Sequence, residues 1–185
     1  MSDSRSRLIA LLRERSFERK KFILSSGRES DFFIDCKQTV LTAEGHALVG
    51  ELMFDALSRL PPCQAVAGVA LGGCPLASAV SLVSFQKGRP LPALYVRNET
   101  KDHGSKRLIE GDRAIAAAMP VVILEDVITT GASTLKAAQK LAEAGLKVVG
   151  VVVIVDRLEG GGDALTRAGL PFVSLATRRD FMGEE

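Results

Sequence analysis

The chain has 185 residues, with 24 Lys and Arg against 22 Asp and Glu and a net charge of +2, which suits one domain with its own core and excludes a broad nucleic-acid or membrane surface. Hydrophobic residues make up 46% and charged residues 25%, a globular balance that excludes disorder. The cysteines Cys36, Cys63 and Cys74 lack C-x-x-C spacing, which argues against a disulfide framework or structural zinc, and no stretch resembles a signal core or a membrane span, so a cytoplasmic protein is expected.

In chain order, Leu8, Leu11 and Leu12 recur at helical spacing between Arg and Glu residues and predict a short opening helix. KKFILSSGRESDFFID reads as extended chain with a turn at Ser26-Gly27. Thr42 can cap a helix that carries Leu48, Leu52, Ala56 and Leu60 on one face, stopped by Pro61-Pro62. His46 on that helix is far from any motif and reads as structural. From Cys63 the pattern changes, and AVAGVAL, LPALYVR, VVILED, VVGVVVIVD and PFVSLAT alternate with the helix-like PLASAVSLVSF, LKAAQKLAEAG and DALTRAG. Unbroken apolar runs of this kind fit strands covered on both faces, so an α/β fold with a central, mainly parallel sheet is expected. The whole of 1–185 is taken as one domain, with roughly 1–40 in a small N-terminal lobe and 63–175 in the α/β core, and Gly160-Gly161-Gly162 as a loop.

The segment richest in chemistry is VVILEDVITTGAS, Val121 to Ser133: an apolar strand, two acids, then a small, hydroxyl-rich turn into a helix. In a doubly wound sheet this places polar groups at the carboxyl end of a strand, where ligands bind. Backbone N–H groups from Thr129 to Ser133 at a helix N-terminus would cradle a phosphate. Glu125 and Asp126 would repel a phosphate in direct contact, so they suit neighbouring hydroxyls or a Mg²⁺ carried by a polyphosphate, and the combination points to a phosphorylated sugar. Read only as D-x-x-T-T-G, the same residues would be a helix cap beside solvated acids. A second segment, YVRNETKDHGSKRLIEG, is a long polar interruption between strands. Its donors Arg97, Lys101 and His103 could gather on a diphosphate, with Gly104 and Gly111 allowing a lid to move; a solvated surface excursion is the plainer alternative.

The full Val121 to Ser133 pattern resembles the phosphoribosyl diphosphate signature of the type I phosphoribosyltransferases. R-x-x-x-K-x-H-G from Arg97 to Gly104 resembles the catalytic loop of the orotate phosphoribosyltransferases. FILSSGRESDFFID, GVALGGCPLA and VVIVDR are similar to further landmarks of that family, in family order along nearly the whole chain. The resemblance implies the type I phosphoribosyltransferase fold with an N-terminal hood, and transfer of a phosphoribosyl group from phosphoribosyl diphosphate to orotate with Mg²⁺ as cofactor. It implies catalytic roles for Lys101, His103 and Asp126. Contacts to phosphoribosyl diphosphate are implied for Leu71, Gly72, Arg97, Asn98, Lys101, His103, Glu125, Asp126, Val127, Ile128, Thr129, Thr130, Gly131, Ala132 and Ser133. Orotate contacts are implied for Thr129 and Arg157, with Phe32 and Phe33 as walls or, equally, as core packing. Arg157 suits a carboxylate through paired hydrogen bonds, and the alternative is a surface ion pair with Glu159 or Asp156. Mg²⁺ is expected to arrive on the diphosphate, and the family's two-fold dimers place the lid of one subunit in the site of the other.

Three residues depart from the family pattern: Asn98 and Ser25 stand where relatives have lysine, and Glu125 replaces the first aspartate of the acid pair. A purine or uracil phosphoribosyltransferase would share the phosphate cradle without needing Arg157 or this lid. A regulator that senses phosphoribosyl diphosphate would carry an added nucleic-acid-binding element, and the residues before the first landmark are too few for one.

Overall fold

The computed structural model describes residues 2–23, 29–97 and 108–183. Helix α1 (Ser2–Arg15) leads into the antiparallel hairpin β1 (Phe17–Ile23) and β2 (Glu29–Ile34). A short α2 (Lys37–Val40) and α3 (Ala43–Ala56) follow. The cap expected at Thr42 is present: its side chain accepts from the N–H of Gly45 at 3.1 Å. Beyond Ala56 the chain tightens into a 3-10 turn over Leu57–Arg59 before the proline pair.

The core is built from β3 (Ala65–Val69), α4 (Gly73–Gln86), β4 (Ala93–Val96), β5 (Ile109–Glu110) and β6 (Pro120–Ile128). It continues with α5 (Ala132–Glu143), β7 (Lys147–Asp156), α6 (Gly161–Arg167), β8 (Phe172–Thr177) and α7 (Arg179–Met182). The strands form a six-stranded sheet in the order β5-β4-β3-β6-β7-β8, parallel throughout except for β5. The expected mainly parallel sheet is therefore observed, and its order steps outward in both directions from β3 and β6. Their carboxyl ends flank the switch in winding direction, where doubly wound sheets hold ligands.

Both faces of the central strands are apolar, and the alternation of side chains splits them between two cores. Val122 and Leu124 of β6, with Val152 and Ile154 of β7, pack under α3 and α4. Val121 and Ile123, with Val151 and Val153, pack under α5 and α6 through Ala137, Leu141 and Leu165. The N-terminal residues do not form a separate core: Leu8, Leu12, Phe32 and Ile34 belong to the first of these clusters. Phe17, Phe32 and Phe181 stack at centroid distances of 5.1–5.6 Å, tying the hairpin to α7.

The glycine triplet taken as a loop is instead the start of α6: Gly160, at φ +91°, is its N-cap, and Gly161 and Gly162 lie inside the helix. Close packing explains this. A Cβ at Gly161 would lie 2.6 Å from Ile128, and one at Gly162 would lie 2.5 Å from the ring of Phe172. Small residues therefore let the helix sit directly on the sheet. β6 also runs past both acids to Ile128, because Glu125, Val127 and Ile128 still pair with Val153, Val155 and Asp156 of β7.

The turn between β3 and α4 is equally tight. A Cβ at Gly68 would lie 2.0 Å from the carbonyl oxygen of Gly73, and one at Gly73 would lie 2.5 Å from that of Leu124. Since the obstacles are backbone atoms, Gly68→Ala should lower stability by at least about 2 kcal/mol. Urea unfolding checks this; a midpoint equal to wild type would mean that the turn yields without cost.

Candidate active site

The carboxyl edge of β3, β6 and β7 gathers most of the described residues singled out from the sequence. After Ile128, Thr129 and the exposed Thr130 lead to Gly131, whose φ of +80° is a left-handed conformation that glycine adopts without strain. Gly131 is the N-cap of α5, and Ala132 and Ser133 are exposed in its first turn. The N–H groups at the start of a helix lack intrahelical partners and add to the helix dipole, so this turn has the form expected of the phosphate cradle. Ile128 is buried in the second core, so only its backbone and that of the half-buried Val127 are suited to a ligand.

The two acids are successive strand residues, so their Cβ atoms leave β6 on opposite faces, yet the carboxyls stay close enough to interact. Glu125 is 6% exposed and accepts a hydrogen bond from the hydroxyl of the buried Thr134 at 3.2 Å. Burial, reinforced by the charge of Asp126, pushes its pKa up to about 8. Asp126 lies on the other face and is half-buried. Burial raises its pKa too, against the N–H of Val127, 2.9 Å from Oδ1, and the positive charge of Lys37. A Cβ on Gly72 would lie 2.2 Å from Oδ2 of Asp126, so the β3–α4 turn closes directly over this carboxylate. The acids remain a pair, since the Asp126 carboxyl acts on Glu125 through both its charge and a side-chain hydrogen bond, but their other neighbours differ: Thr134 of α5 for Glu125 and the β3–α4 turn for Asp126.

Leu71, 72% exposed, stands at the tip of the β3–α4 turn, with Gly72 behind it. Arg97 ends β4: its N–H donates to Leu108 at 2.8 Å, and its Nη1 donates to Glu110 at 3.2 Å. Lys140 of α5 donates to the Arg97 carbonyl at 2.8 Å, so the root of the polar segment is tied to the helix that carries the cradle. Only the helical spacing of Lys140 was legible beforehand; nothing in the sequence linked it to Arg97. Asn98, Lys101, His103 and Gly104 lie outside the described residues, as do Ser25 and the expected turn at Ser26-Gly27.

Arg157 follows β7 and is 6% exposed, with its N–H on the carbonyl of Ile128 at 3.1 Å. Its guanidinium pairs with Glu159, as one sequence alternative had it, but the pair is enclosed and not on the surface: Nε and Nη2 approach Oε1 at 3.0 and 2.8 Å. Phe32 is fully buried, and the guanidiniums of Arg157 and Arg178 lie 5.5 and 5.4 Å from its ring centre. It therefore supports the arginines and does not present an exposed wall. Phe33 is half-buried, with the Lys20 ammonium 4.2 Å from its ring centre.

A family model for the phosphoribosyl transferase domain matches residues 46–167. That span takes in the β3–α4 turn, the acid pair, the cradle and Arg157. An orotate phosphoribosyltransferase from Sorangium cellulosum is 72% identical over 98% of this chain and 94% of its own length. The chain belongs to the orotate phosphoribosyltransferase family. Its fold agrees with that of Mycobacterium tuberculosis orotate phosphoribosyltransferase, solved with Fe(III) dicitrate, at a TM-score of 0.83 and 35% identity, covering 97% of this chain and 99% of that one. The same Mycobacterium enzyme solved with 5-phospho-α-D-ribosyl 1-diphosphate matches at a TM-score of 0.78 and 32% identity, covering 96% of this chain and 98% of the other. Family members thus share the overall fold described above.

The raised pKa of Glu125 has a thermodynamic consequence. Its ordinary value is 4.5 and its folded value about 8. Between these pH values the folded chain keeps a proton that the unfolded chain has released, so stability from this group is full below the lower value and falls as pH rises towards the upper. Glu125→Gln removes that proton. The stability of the variant relative to wild type should therefore improve from about pH 5 to about pH 8. Chemical denaturation of the unliganded proteins at both pH values measures the difference; a constant offset would mean that Glu125 is ionised when folded.

Proposed function

We propose that this chain transfers the phosphoribosyl group of 5-phosphoribosyl 1-diphosphate to orotate, giving orotidine 5′-phosphate and diphosphate in pyrimidine (UMP) synthesis. The observation that carries this reading is the identity of 72% over 98% of the chain with an orotate phosphoribosyltransferase, together with an arginine set at the carboxyl edge beside the phosphate cradle.

In the reaction the C1–O bond to diphosphate breaks, N1 of orotate bonds to C1 from the opposite face, and the N1 proton is released. Positive charge grows on the ribose while negative charge grows on the departing diphosphate, so the protein needs to position and to compensate charge more than to supply a nucleophile. The N–H groups from Thr129 to Ser133 hold the 5′-phosphate, and Asp126 accepts from a ribose hydroxyl. The backbone of Leu71 and Gly72 faces the diphosphate, and Arg97, Asn98, Lys101 and His103 compensate its charge as the lid closes out water. Arg157 and Thr129 receive orotate, with Phe33 beside the base. Mg²⁺ fits as a companion of the diphosphate, whose charge it would neutralise, and Asp126 would be the carboxylate available to it.

The setting proposed is cytoplasmic, in keeping with free Cys36, Cys63 and Cys74. Among the described residues, no helix is long and apolar enough to cross a membrane. With Mg²⁺ and phosphoribosyl diphosphate, purified protein should consume orotate far faster than adenine, hypoxanthine, guanine or uracil, followed by base absorbance and diphosphate release. Equal turnover of a purine would overturn the substrate assignment.

A homodimer with the lid reaching the partner's site is part of the same proposal. Lys101→Ala then damages the neighbouring site and Asp126→Ala its own. Random exchange between the two inactive variants should restore roughly a quarter of wild-type activity, because about half the dimers are mixed and each mixed dimer holds one intact site. No recovery, despite mixed dimers seen by native mass spectrometry, would place each lid in its own subunit.

A further inference from the structure

The Arg157–Glu159 pair is built by an unusual turn. Asp156 Oδ1 accepts from the N–H of Leu158 at 2.8 Å, Leu158 takes a φ of +58°, and Gly160 takes +91°. This conformation turns Leu158 outward, where it is 47% exposed, and brings Arg157 and Glu159 side by side. Two bonds from the guanidinium, through Nε and Nη2, go to one oxygen of Glu159. The other oxygen, Oε2, is buried and has no hydrogen-bond partner among the described residues.

A device for stability would not be made this way. A buried ion pair recovers its desolvation cost only when the remaining polar atoms are satisfied, and an unmatched carboxylate oxygen is unfavourable. A non-glycine residue at positive φ adds to that cost. What the arrangement does accomplish is orientation. Glu159 grips the Nε edge of the guanidinium, the ring of Phe32 supports it, and the backbone N–H of Arg157 is held by Ile128, one residue before the cradle begins. A long side chain that would otherwise sample many rotamers is thereby held in one. Arg178 lies against the same ring and is fixed by Asp31 at 2.7 Å, which closes the support from the hairpin side.

We infer that Glu159 is a positioning residue for the base half of the site, holding the Arg157 guanidinium in the orientation that receives the carboxylate of orotate. This rests on the function proposed above. Glu159 acts through Arg157 and does not touch the reacting atoms, so its effect belongs in the KM for orotate and not in the KM for phosphoribosyl diphosphate or in kcat.

Steady-state kinetics of wild type, E159A, E159D, E159Q, R157A and R157A/E159A test this, with melting temperatures alongside. E159A should raise the KM for orotate about tenfold or more, while kcat and the KM for phosphoribosyl diphosphate stay within about twofold. E159Q keeps an oxygen at the same reach and should stay within about threefold of wild type, whereas E159D keeps the charge but withdraws it and should lose several-fold. In the R157A background, removing Glu159 should add nothing. Should E159A fail to fold, the contrast between E159D and E159Q carries the test. An unchanged or lowered KM for orotate in both E159A and E159D, or equal rises for both substrates, would overturn the role of Glu159. Wild type that turns over another base and not orotate would instead overturn the substrate assignment on which it rests.

Discussion

A Cβ at Gly68 would lie 2.0 Å from the backbone of Gly73, one at Gly73 would lie 2.5 Å from the carbonyl of Leu124, and one at Gly72 would meet the carboxylate of Asp126 at 2.2 Å. These distances describe one constraint, the close approach of the β3–α4 turn to the end of β6, and the rest of the site depends on it. Because the turn sits so near, Asp126 is half-buried and its carboxylate is displaced from its ordinary titration. On the other side, Gly161 lets α6 sit against Ile128 and Thr129, which supports the turn from below. Space at the edge is thus set by glycines, and chemistry by the polar groups that they admit.

Electrostatics divide along the same edge. The turn into α5 offers backbone dipoles, which cannot change charge with pH and would suit the phosphate proposed for it. The acids are treated differently on the two faces of β6: Glu125 is driven towards its neutral form beneath α5, and Asp126 keeps a cation, Lys37, within electrostatic reach. A neutral Glu125 leaves one negative charge fewer beside the start of α5. Cationic side chains are held by tethers: Arg157 by Glu159, Arg178 by Asp31, and Arg97 by Glu110. Such tethers restrict the rotamers open to each guanidinium.

Much of this was legible in the residues. Uninterrupted apolar runs such as VVGVVVIVD can be satisfied only by burial on both faces, and that dictates a parallel sheet with helices on each side. The turn from Thr129 to Ser133 could be recognised because the residue types that expose N–H groups at a helix start are few. Thr42 could be read as a cap for the same local reason. By contrast, the triplet from Gly160 to Gly162 reads as a loop in sequence because glycine has more than one use, and only the positions of Ile128 and Phe172 reveal that here it permits close helix packing.

What the sequence by itself determined is whatever depends on local backbone chemistry and on periodicity: the α/β class, the turn that starts α5, the strand that carries the acids, and an arginine at a strand end. What only the tertiary structure decided is which side of the sheet each group faces and what surrounds it there. Glu125 and Asp126 are adjacent in sequence yet enter different environments, because successive strand residues point oppositely and the covering elements come from distant parts of the chain. Phe32 became the support for two arginines because β2, β7 and α7 converge on one place. Lys140 and Arg97 are 43 positions apart, and their hydrogen bond exists because α5 crosses beside the end of β4. Burial and cross-chain contact are properties of packing, and no window of sequence contains them.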